Sequence, residues 1–189
     1  MILGICGSGR KEGNTGALIE AVLKEAGEES ELIWLIDINL GYCTGWLRCA
    51  FEGGCWQEDG MAGLYQKLID ADAIVFGSPC YYGNVSGLFK SFMDRSIALG
   101  YMGVGKESDI EMHGRKPLAG KPAAIVSAVA GHGVDAVIKL MEGYVGYAEM
   151  NSVGSVGAVA GMDDVRDKPE IMEQARDLGA KLAGAIAKQ

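Results

Sequence analysis

The sequence predicts an α/β protein in which a parallel sheet is covered by helices on both faces. Five short segments are near-continuous apolar runs, as expected of strands that are buried on both sides. Amphipathic segments of helical length alternate with these runs, and glycine-rich turns connect them. The 189 residues, 49% of them hydrophobic, are expected to fold as one domain over residues 1–189.

The strands are indicated by branched and aromatic apolar side chains, and the helices by a periodic apolar face. The predicted strands are residues 2–7, 32–37, 73–77, 123–129 and 153–159. The predicted helices are roughly residues 16–27, 61–71, 87–98, 134–146 and 169–188. The third helix has four apolar residues on one face, Leu88, Phe89, Phe92 and Met93. Pro169 suits the first turn of the last helix, and irregular loops are expected at 38–60 and 99–120.

The charge of the chain argues against some classes of partner. The sequence has 25 acidic and 17 basic residues, which gives a net charge of −8. This balance is unfavourable for nucleic acid or an anionic membrane as the main partner. No apolar run reaches the length of a membrane span, and the first strand begins at once, so no signal peptide is expected. We therefore expect a cytoplasmic protein.

Three loops are expected to meet at one crevice. A parallel sheet binds ligands at the carboxyl ends of its strands, where the strand order reverses. The loops 8–15, 78–86 and 130–133 leave such ends, and each is rich in Gly, Ser, Asn or Tyr.

The loop 8–15 has the features of a phosphate-binding turn. It joins a strand to a helix, so unpaired N–H groups and the positive end of the helix converge on one point. Hydroxyl and amide donors and one fixed positive charge are expected to contribute. The predicted phosphate ligands are Ser8, Arg10, Gly13, Asn14 and Thr15. The alternative is an ordinary strand-to-helix turn in which Asn14 or Thr15 is the N-cap.

Two other phosphate-binding motifs fit this loop less well. It lacks the Gly-x-x-x-x-Gly-Lys-Ser/Thr pattern of a P-loop, and its glycines do not have the Gly-x-Gly-x-x-Gly spacing of a dinucleotide site. Asp37 nevertheless closes the second strand, where a dinucleotide site has its acidic residue, so that alternative stays open. A turn rich in Ser, Thr and Asn suits a terminal monophosphate.

The loop 78–86 suits the edge of a flat heteroaromatic ring. It reads Ser-Pro-Cys-Tyr-Tyr-Gly-Asn-Val-Ser and has no charged side chain. Proline fixes its backbone and glycine lets it approach a ligand. The predicted ring-binding residues are Ser78, Pro79, Cys80, Tyr81, Tyr82, Gly83 and Asn84, with Gly131, His132 and Gly133 on the other side. A monophosphate and a flat ring together describe FMN. The alternatives are plain packing for the tyrosines and a surface turn for His132.

These two loops resemble those of a known family. The pattern Ser-x-Arg-x-x-Gly-Asn-Thr at 8–15 resembles the phosphate loop of the NADPH-dependent FMN reductase family, and segment 77–95 resembles its isoalloxazine loop and following helix. The resemblance covers nearly the whole chain. It implies a flavodoxin-like three-layer sandwich with a five-stranded parallel sheet of order 2-1-3-4-5, and FMN between the first and third strands. It also implies a homodimer or homotetramer in which the loop 99–120 reaches a neighbouring subunit.

Three cysteines, Cys43, Cys49 and Cys55, lie in the loop 38–60. Iron–sulfur flavoproteins, a branch of the same family, carry four cysteines here, with a spacing similar to C-x2-C-x2-C-x5-C, that bind a 4Fe–4S cluster. In this chain Trp46 stands at the second cysteine position, whereas such a cluster normally takes four thiolates. The resemblance makes the three cysteines candidate cluster ligands, and we favour lost or vestigial binding. A zinc site, a redox disulfide or buried small apolar residues are the alternatives.

The resemblance implies an enzyme, a NAD(P)H-dependent FMN reductase. Such an oxidoreductase passes electrons from NAD(P)H through bound FMN to a small acceptor such as a quinone or free flavin. A second hypothesis is an electron-transfer flavoprotein that exchanges electrons with ferredoxin, without nicotinamide turnover. A third is a ligand-binding regulator without turnover. Flavin chemistry belongs largely to the cofactor, so we assign no catalytic acid or base.

Overall fold

The fold is built on one mixed sheet. The computed structural model describes residues 1–27, 29–102 and 116–189. Its strands are β1 (Ile2–Cys6), β2 (Ser30–Trp34), β3 (Ala73–Tyr81), β4 (Asn84–Val85), β5 (Pro122–Val129) and β6 (Asn151–Val159). The strand order is β2-β1-β3-β5-β6 with parallel pairing throughout, while the two-residue β4 pairs antiparallel with the end of β3. With β4 set aside, this is the predicted order 2-1-3-4-5, which is therefore confirmed.

Helices cover both faces of the sheet. They are α1 (Asn14–Ala26), α2 (Arg48–Glu52), α3 (Met61–Asp70), α4 (Gly87–Arg95), α5 (Val134–Tyr147) and α6 (Pro169–Ile186). Three short 3-10 helices occupy Leu35–Asp37, Ser96–Tyr101 and Val165–Asp167. Helices α1 and α6 pack on one face, and α3, α4 and α5 on the other. None of the helices in the described ranges has the length and apolar character needed to cross a bilayer.

The two cores follow from the two-residue period of the strands. In β3, Ile74 and Phe76 join the core under α3, α4 and α5, while Ala73 and Val75 join the core under α1 and α6. Successive side chains of a strand point to opposite faces, so an unbroken apolar run supplies both cores at once. This arrangement explains why the strands read as continuous apolar segments in the sequence.

Some element boundaries differ from the prediction. Strand β3 continues four residues beyond Gly77, because Ser78 and Pro79 pair with β5 and the last two residues pair with β4. The second strand ends at Trp34 instead of Asp37, because the chain turns there into a 3-10 helix. The predicted irregular loop 38–60 contains the short helix α2. The centre of the predicted loop 99–120, residues 103–115, lies outside the described residues, as does its predicted contact with a neighbouring subunit.

Candidate functional site

A cleft of about 790 Å³ opens at the carboxyl edge of the sheet, where the loops after β1, β3 and β5 meet. Its size is within the range of small-molecule and cofactor sites. Most of the predicted site residues line it, namely Ser8, Arg10, Asn14, Thr15, Pro79, Cys80, Tyr81, Tyr82, Gly83, Gly131, His132 and Gly133. Gly13, Ser78 and Asn84 are not among its lining residues within the described chain. Ala130 also lines the cleft and belongs to the predicted loop 130–133, although it is not among the predicted ligands, and sequence reasoning missed Ala128, Val129 and Gly161.

The first loop presents hydrogen-bond donors to the cleft. Helix α1 begins at Asn14 after Gly13, which provides no side-chain cap. The first intrahelical bond found is from the N–H of Ala17 to the carbonyl of Gly13, so the N–H groups before Ala17 have no intrahelical partner. Among the residues described, the Thr15 hydroxyl also has no hydrogen-bond partner, although Thr15 lines the cleft. An anion at this point would accept hydrogen bonds from these free N–H and hydroxyl groups.

The Ser8 hydroxyl shapes the same loop. Its Oγ accepts a hydrogen bond from the Arg10 N–H at 3.1 Å and lies 3.2 Å from the Arg10 carbonyl, to which it donates. The N–H of Gly13 then donates to the same carbonyl at 3.1 Å. Ser8 is therefore both a lining residue and the residue that folds the turn.

Asn14 has a different role from the one that its position suggests. Its Nδ2 donates to the carbonyl of Asp163 at 3.0 Å, and its Oδ1 accepts from the N–H of Val165 at 3.1 Å. The amide is thus occupied in joining α1 to the loop after β6. The alternative prediction of an ordinary N-cap at Asn14 or Thr15 is wrong, because the N-cap position is Gly13.

The second loop is a tight hairpin between β3 and β4. Its two central residues, Tyr82 and Gly83, have φ angles of 53° and 71°. Positive φ at both positions matches the type I′ turn that two-residue hairpins favour. Glycine adopts this conformation freely, whereas a bulky residue such as Tyr82 is strained by about 1–2 kcal/mol. The Tyr82 side chain is fully exposed at the rim of the cleft.

Two serines connect the hairpin to the first loop. The Ser86 hydroxyl donates to the Gly7 carbonyl at 2.7 Å, and the Ser86 N–H donates to the Ser78 hydroxyl at 2.9 Å. A Cβ at Gly7 would lie 2.6 Å from the Cβ of Phe89, so this contact excludes a side chain. Ser78 is fully buried, because its hydroxyl braces the hairpin instead of facing the cleft. The Asn84 amide is likewise used locally, since its Oδ1 accepts from the N–H of Val85.

The third loop packs directly against the hairpin. A Cβ at Gly133, whose φ is 94°, would lie 3.2 Å from the Cα of Gly83 and 3.4 Å from the Sγ of Cys80. The Cys80 thiol also donates to the carbonyl of His132, with a sulfur–oxygen distance of 3.8 Å. The His132 residue itself is exposed. The glycine-rich sequence of this loop therefore permits its close approach to the hairpin.

The charge inside the cleft differs from that of the whole chain. Although the sequence has 25 acidic residues, no carboxylate is found among the cleft-lining residues that the structure describes. Arg10 contributes the permanent positive charge of this lining. The site is therefore suited to an anionic ligand on an otherwise acidic protein.

A second region, the cysteine loop 41–59, is organised by the fully buried Arg95 at the end of α4. Its guanidinium pairs in a bidentate manner with Asp59, at 2.6 Å and 2.9 Å. It also donates to the Gly41 carbonyl at 3.0 Å and to the Gln57 side chain at 3.2 Å. One side chain therefore binds both ends of this loop.

The electrostatics of this ion pair favour its charged form. Burial on its own would raise the pKa of Asp59, but hydrogen bonds from Arg95 and from the N–H groups of Gly41 and Met61 hold that pKa below its usual value. Burial on its own would lower the pKa of Arg95, but the hydrogen bond to Asp59 together with the nearby Cys55, Tyr65 and Asp59 groups outweighs it, so that this pKa is raised. Among the described buried side-chain atoms, the Nε of Arg95 has no hydrogen-bond partner.

The three cysteines of this loop differ in their surroundings. Cys43 is exposed, Cys49 is buried, and Cys55 is intermediate, with its Sγ 3.4 Å from a donating nitrogen of Arg95. Burial raises the pKa of the Cys49 thiol. All three line one small cavity of about 20 Å³.

The predicted metal ligands do not form a metal site. In the parts of the chain that the structure describes, no group of three or more His, Cys, Asp or Glu side chains is arranged to hold a metal ion. Trp46, at the second cysteine position of the spacing, turns its side chain outward and is 72% exposed. The residues present do not fit a four-thiolate cluster, so the expectation of Cys43, Cys49 and Cys55 as cluster ligands is not supported.

The other two cysteines are in different environments. Cys6 lies in the middle of β1, where burial raises its pKa to about 11. It is therefore a neutral core residue, as its position in an apolar run suggests. Cys80 is mostly buried and faces the cleft.

Comparison with known proteins agrees with this architecture. A family model described as NADPH-dependent FMN reductase matches residues 1–164. An iron–sulfur flavoprotein from Archaeoglobus fulgidus is 30% identical over 174 residues, which cover 82% of this chain and 76% of that protein. Another, from Methanocaldococcus jannaschii, is 43% identical over 101 residues, and this match spans only about half (52%) of each protein.

The fold has solved counterparts. The structure of a WrbA-like flavodoxin from Agrobacterium tumefaciens superposes with a TM-score of 0.63 at 22% identity, covering 99% of this chain and 97% of that one. This agreement confirms the flavodoxin-like fold. The family match extends over the strands and loops that form the cleft, and we conclude that the chain belongs to the NADPH-dependent FMN reductase family.

Proposed function

We propose that the cleft binds FMN and that the protein is an FMN-dependent oxidoreductase, which takes electrons from NAD(P)H and delivers them to a small acceptor such as a quinone or free flavin. The observation that carries this proposal is the pairing, in one cleft of about 790 Å³, of an anion-binding loop with an uncharged, aromatic and glycine-rich loop. Family membership supports the same cofactor.

The first loop is the proposed phosphate end of the cleft. The free N–H groups at the start of α1, the Thr15 hydroxyl and the Arg10 guanidinium would together satisfy several oxygens of a phosphate. Ser8 and Gly13 would hold the turn open for it. Asn14 would act indirectly, without contacting the phosphate, because its amide joins the start of α1 to the loop after β6.

The hairpin and the third loop are the proposed ring end. Neither carries an Asp, Glu, Lys or Arg residue, so a neutral ring with a polar edge suits them. Pro79, Cys80 and the Tyr82–Gly83 turn would lie along one side of the ring, and Gly131–Gly133 along the other. The backbone groups of these segments are the proposed partners of the ring's oxygen and nitrogen atoms.

When bound, FMN would supply the two-electron and one-electron chemistry of the reaction. The protein's own contribution would be position and environment. The tight contacts between the three loops hold the site in shape, and the absence of carboxylates from its described lining avoids repulsion of phosphate. We assign no general acid or base, since no catalytic triad or paired carboxylates line the described part of the cleft.

The test begins with the purified protein and FMN. We expect flavin absorption bands, or saturable uptake of about one FMN per chain by the flavin-free protein. Anaerobic addition of NADPH or NADH should then bleach these bands rapidly, and a quinone should restore them. A protein that takes up no FMN would contradict the proposed cofactor.

A second candidate is supported by the names of the relatives, which are iron–sulfur flavoproteins. In this alternative the protein exchanges electrons with ferredoxin and does not use nicotinamide. Absence of bleaching by either nicotinamide, combined with reduction by reduced ferredoxin, would favour it over the first proposal.

A further inference from the structure

The cysteine loop poses a conflict between the chain and its relatives. The relatives are called iron–sulfur flavoproteins, and a four-iron cluster is ordinarily held by four cysteine thiolates. This sequence has five cysteines, but Cys6 is buried within β1 and Cys80 faces the cleft. Three remain in the loop, and the sequence of segment 103–115 contains no cysteine.

Side-chain hydrogen bonds hold the two ends of the cysteine loop together. Arg95 binds the Gly41 carbonyl near its start and Gln57 and Asp59 at its end, while the Asp59 carboxylate accepts the Gly41 N–H at 2.8 Å. These bonds bring the two ends of the loop together. The loop is therefore a folded frame in which three thiol groups line one cavity.

Trp46 stands at the one position of the four-cysteine spacing that is not a cysteine in this chain. It lines the same small cavity, and most of its side chain is in solvent. Its replacement by cysteine would leave no hole in the core, because the ring is not buried there. The donor contact from Arg95 to the Cys55 sulfur is also compatible with a thiolate ligand, since thiolates accept hydrogen bonds.

We propose that this chain assembles no four-iron cluster, and that Trp46 is the one residue that prevents it. The three cysteines line one cavity within the Arg95 frame, although the described residues do not gather them into a metal-binding group, and Trp46→Cys would supply the fourth thiolate around which a cluster could draw them together. This inference concerns the cysteine loop alone and does not depend on the flavin site.

The experiment compares three proteins that are expressed with added iron and purified without oxygen. They are the wild type, Trp46→Cys and Thr44→Cys. The last is the matched control, because Thr44 is also exposed and lines the same cavity, so that its replacement adds a fourth thiol at the wrong spacing. Iron, acid-labile sulfide and flavin are measured per chain in each preparation.

We expect the wild type and Thr44→Cys to contain well under about one iron per chain, and Trp46→Cys to approach about four, with matching sulfide. About four irons in the wild type would overturn the proposal, and so would a Trp46→Cys protein as poor in iron as the wild type. Equal iron in the two variants would also overturn it, because a cysteine at position 44 would then complete a cluster as well as one at position 46. The flavin content reports separately on the proposed FMN site, and the wild-type result stands even if a variant fails to fold.

Discussion

The cleft and the cysteine loop lie at the same edge of the sheet but are held together in different ways. The three loops of the cleft are connected by several contacts, many of them through backbone atoms, such as the bond from Ser86 to Gly7 and the approach of Gly133 to Gly83. The cysteine loop follows the second strand and its 3-10 helix, and the guanidinium of Arg95 makes more of the side-chain bonds that close it than any other group described. The shape of the cleft is therefore distributed over many atoms, whereas that of the cysteine loop is concentrated in one residue.

The largest effect is expected when that one residue is removed. Arg95→Met leaves the carboxylate of Asp59, whose side chain is only 11% exposed, without its positive partner, and removal of one member of such a pair typically costs about 3–5 kcal/mol of unfolding free energy. Urea denaturation of the flavin-free protein measures this cost. The control is Lys90→Met on the same helix, whose exposed ion pair with Asp94 should contribute less than about 1 kcal/mol. A loss below about 1 kcal/mol for Arg95→Met would contradict the distinction between the two regions.

A smaller effect is expected when a residue of the cleft is changed, and this effect is on ligand affinity and not on the stability of the fold. Arg10→Ala should weaken FMN binding by about 1.5–3 kcal/mol, or roughly tenfold to a hundredfold, while the flavin-free protein keeps its stability. Fluorescence titration measures the affinity. The neighbouring Lys11→Ala is the control, because it removes the same charge from an exposed ion pair with Asp37 outside the cleft. Equal losses in both variants would show that only the net charge matters.

Asn14→Ala tests the indirect role of that amide. Removal of its two bonds to the loop after β6 should loosen the phosphate end of the cleft. The expected loss in the free energy of FMN binding is about 1 kcal/mol, or about fivefold in affinity. The comparable variant Asn151→Ala removes an exposed side-chain bond to the Gly120 carbonyl, away from the cleft. It should leave FMN affinity unchanged. A hundredfold loss for Asn14→Ala would instead indicate direct contact with the phosphate.

The smallest effect is a pH dependence. The pKa of Asp59 is held below its ordinary value of 3.8 in the folded protein, so its ion pair contributes fully above about pH 3.8 and weakens as the pH falls through the lowered pKa. The wild type should lose stability over this acid range more steeply than Arg95→Met. Urea midpoints at pH 5 and at successively lower pH values measure the difference. Parallel curves for the two proteins would show that Asp59 does not titrate with the pair.

The sequence predicted the cleft better than it predicted the cysteine loop. The strands and the three converging loops follow from local patterns, namely apolar runs and the turns that end them, whereas the strand order was implied by the family resemblance. The roles of Asn14 and Ser78 could not be inferred in this way, because they depend on backbone groups that only the fold brings close. Asn14 bonds to the carbonyl of the distant Asp163, and Ser78 accepts the N–H of Ser86 on the other side of the hairpin.

The frame of the cysteine loop depends on a longer-range contact. Arg95 is 36 residues from Asp59 in the sequence, and nothing in the local pattern at the end of α4 distinguishes it from an exposed helix-terminal arginine. The cysteine spacing drew attention to the loop, yet spacing alone does not reveal whether the sulfurs are gathered around one point. The sequence shows Trp46 at the second cysteine position, and the fold adds that its side chain is exposed and that the described cysteines form no metal-binding group.

The contact at Gly7 limits which parts of this site could change during divergence. Because Phe89 and Ser86 leave no room for a side chain there, the first loop and the hairpin form a single rigid piece. Altered selectivity toward new acceptors would therefore have to arise at the solvent-facing rim. Tyr82 is free to vary in that way, since its ring is fully exposed and its backbone conformation would be easier for glycine or asparagine.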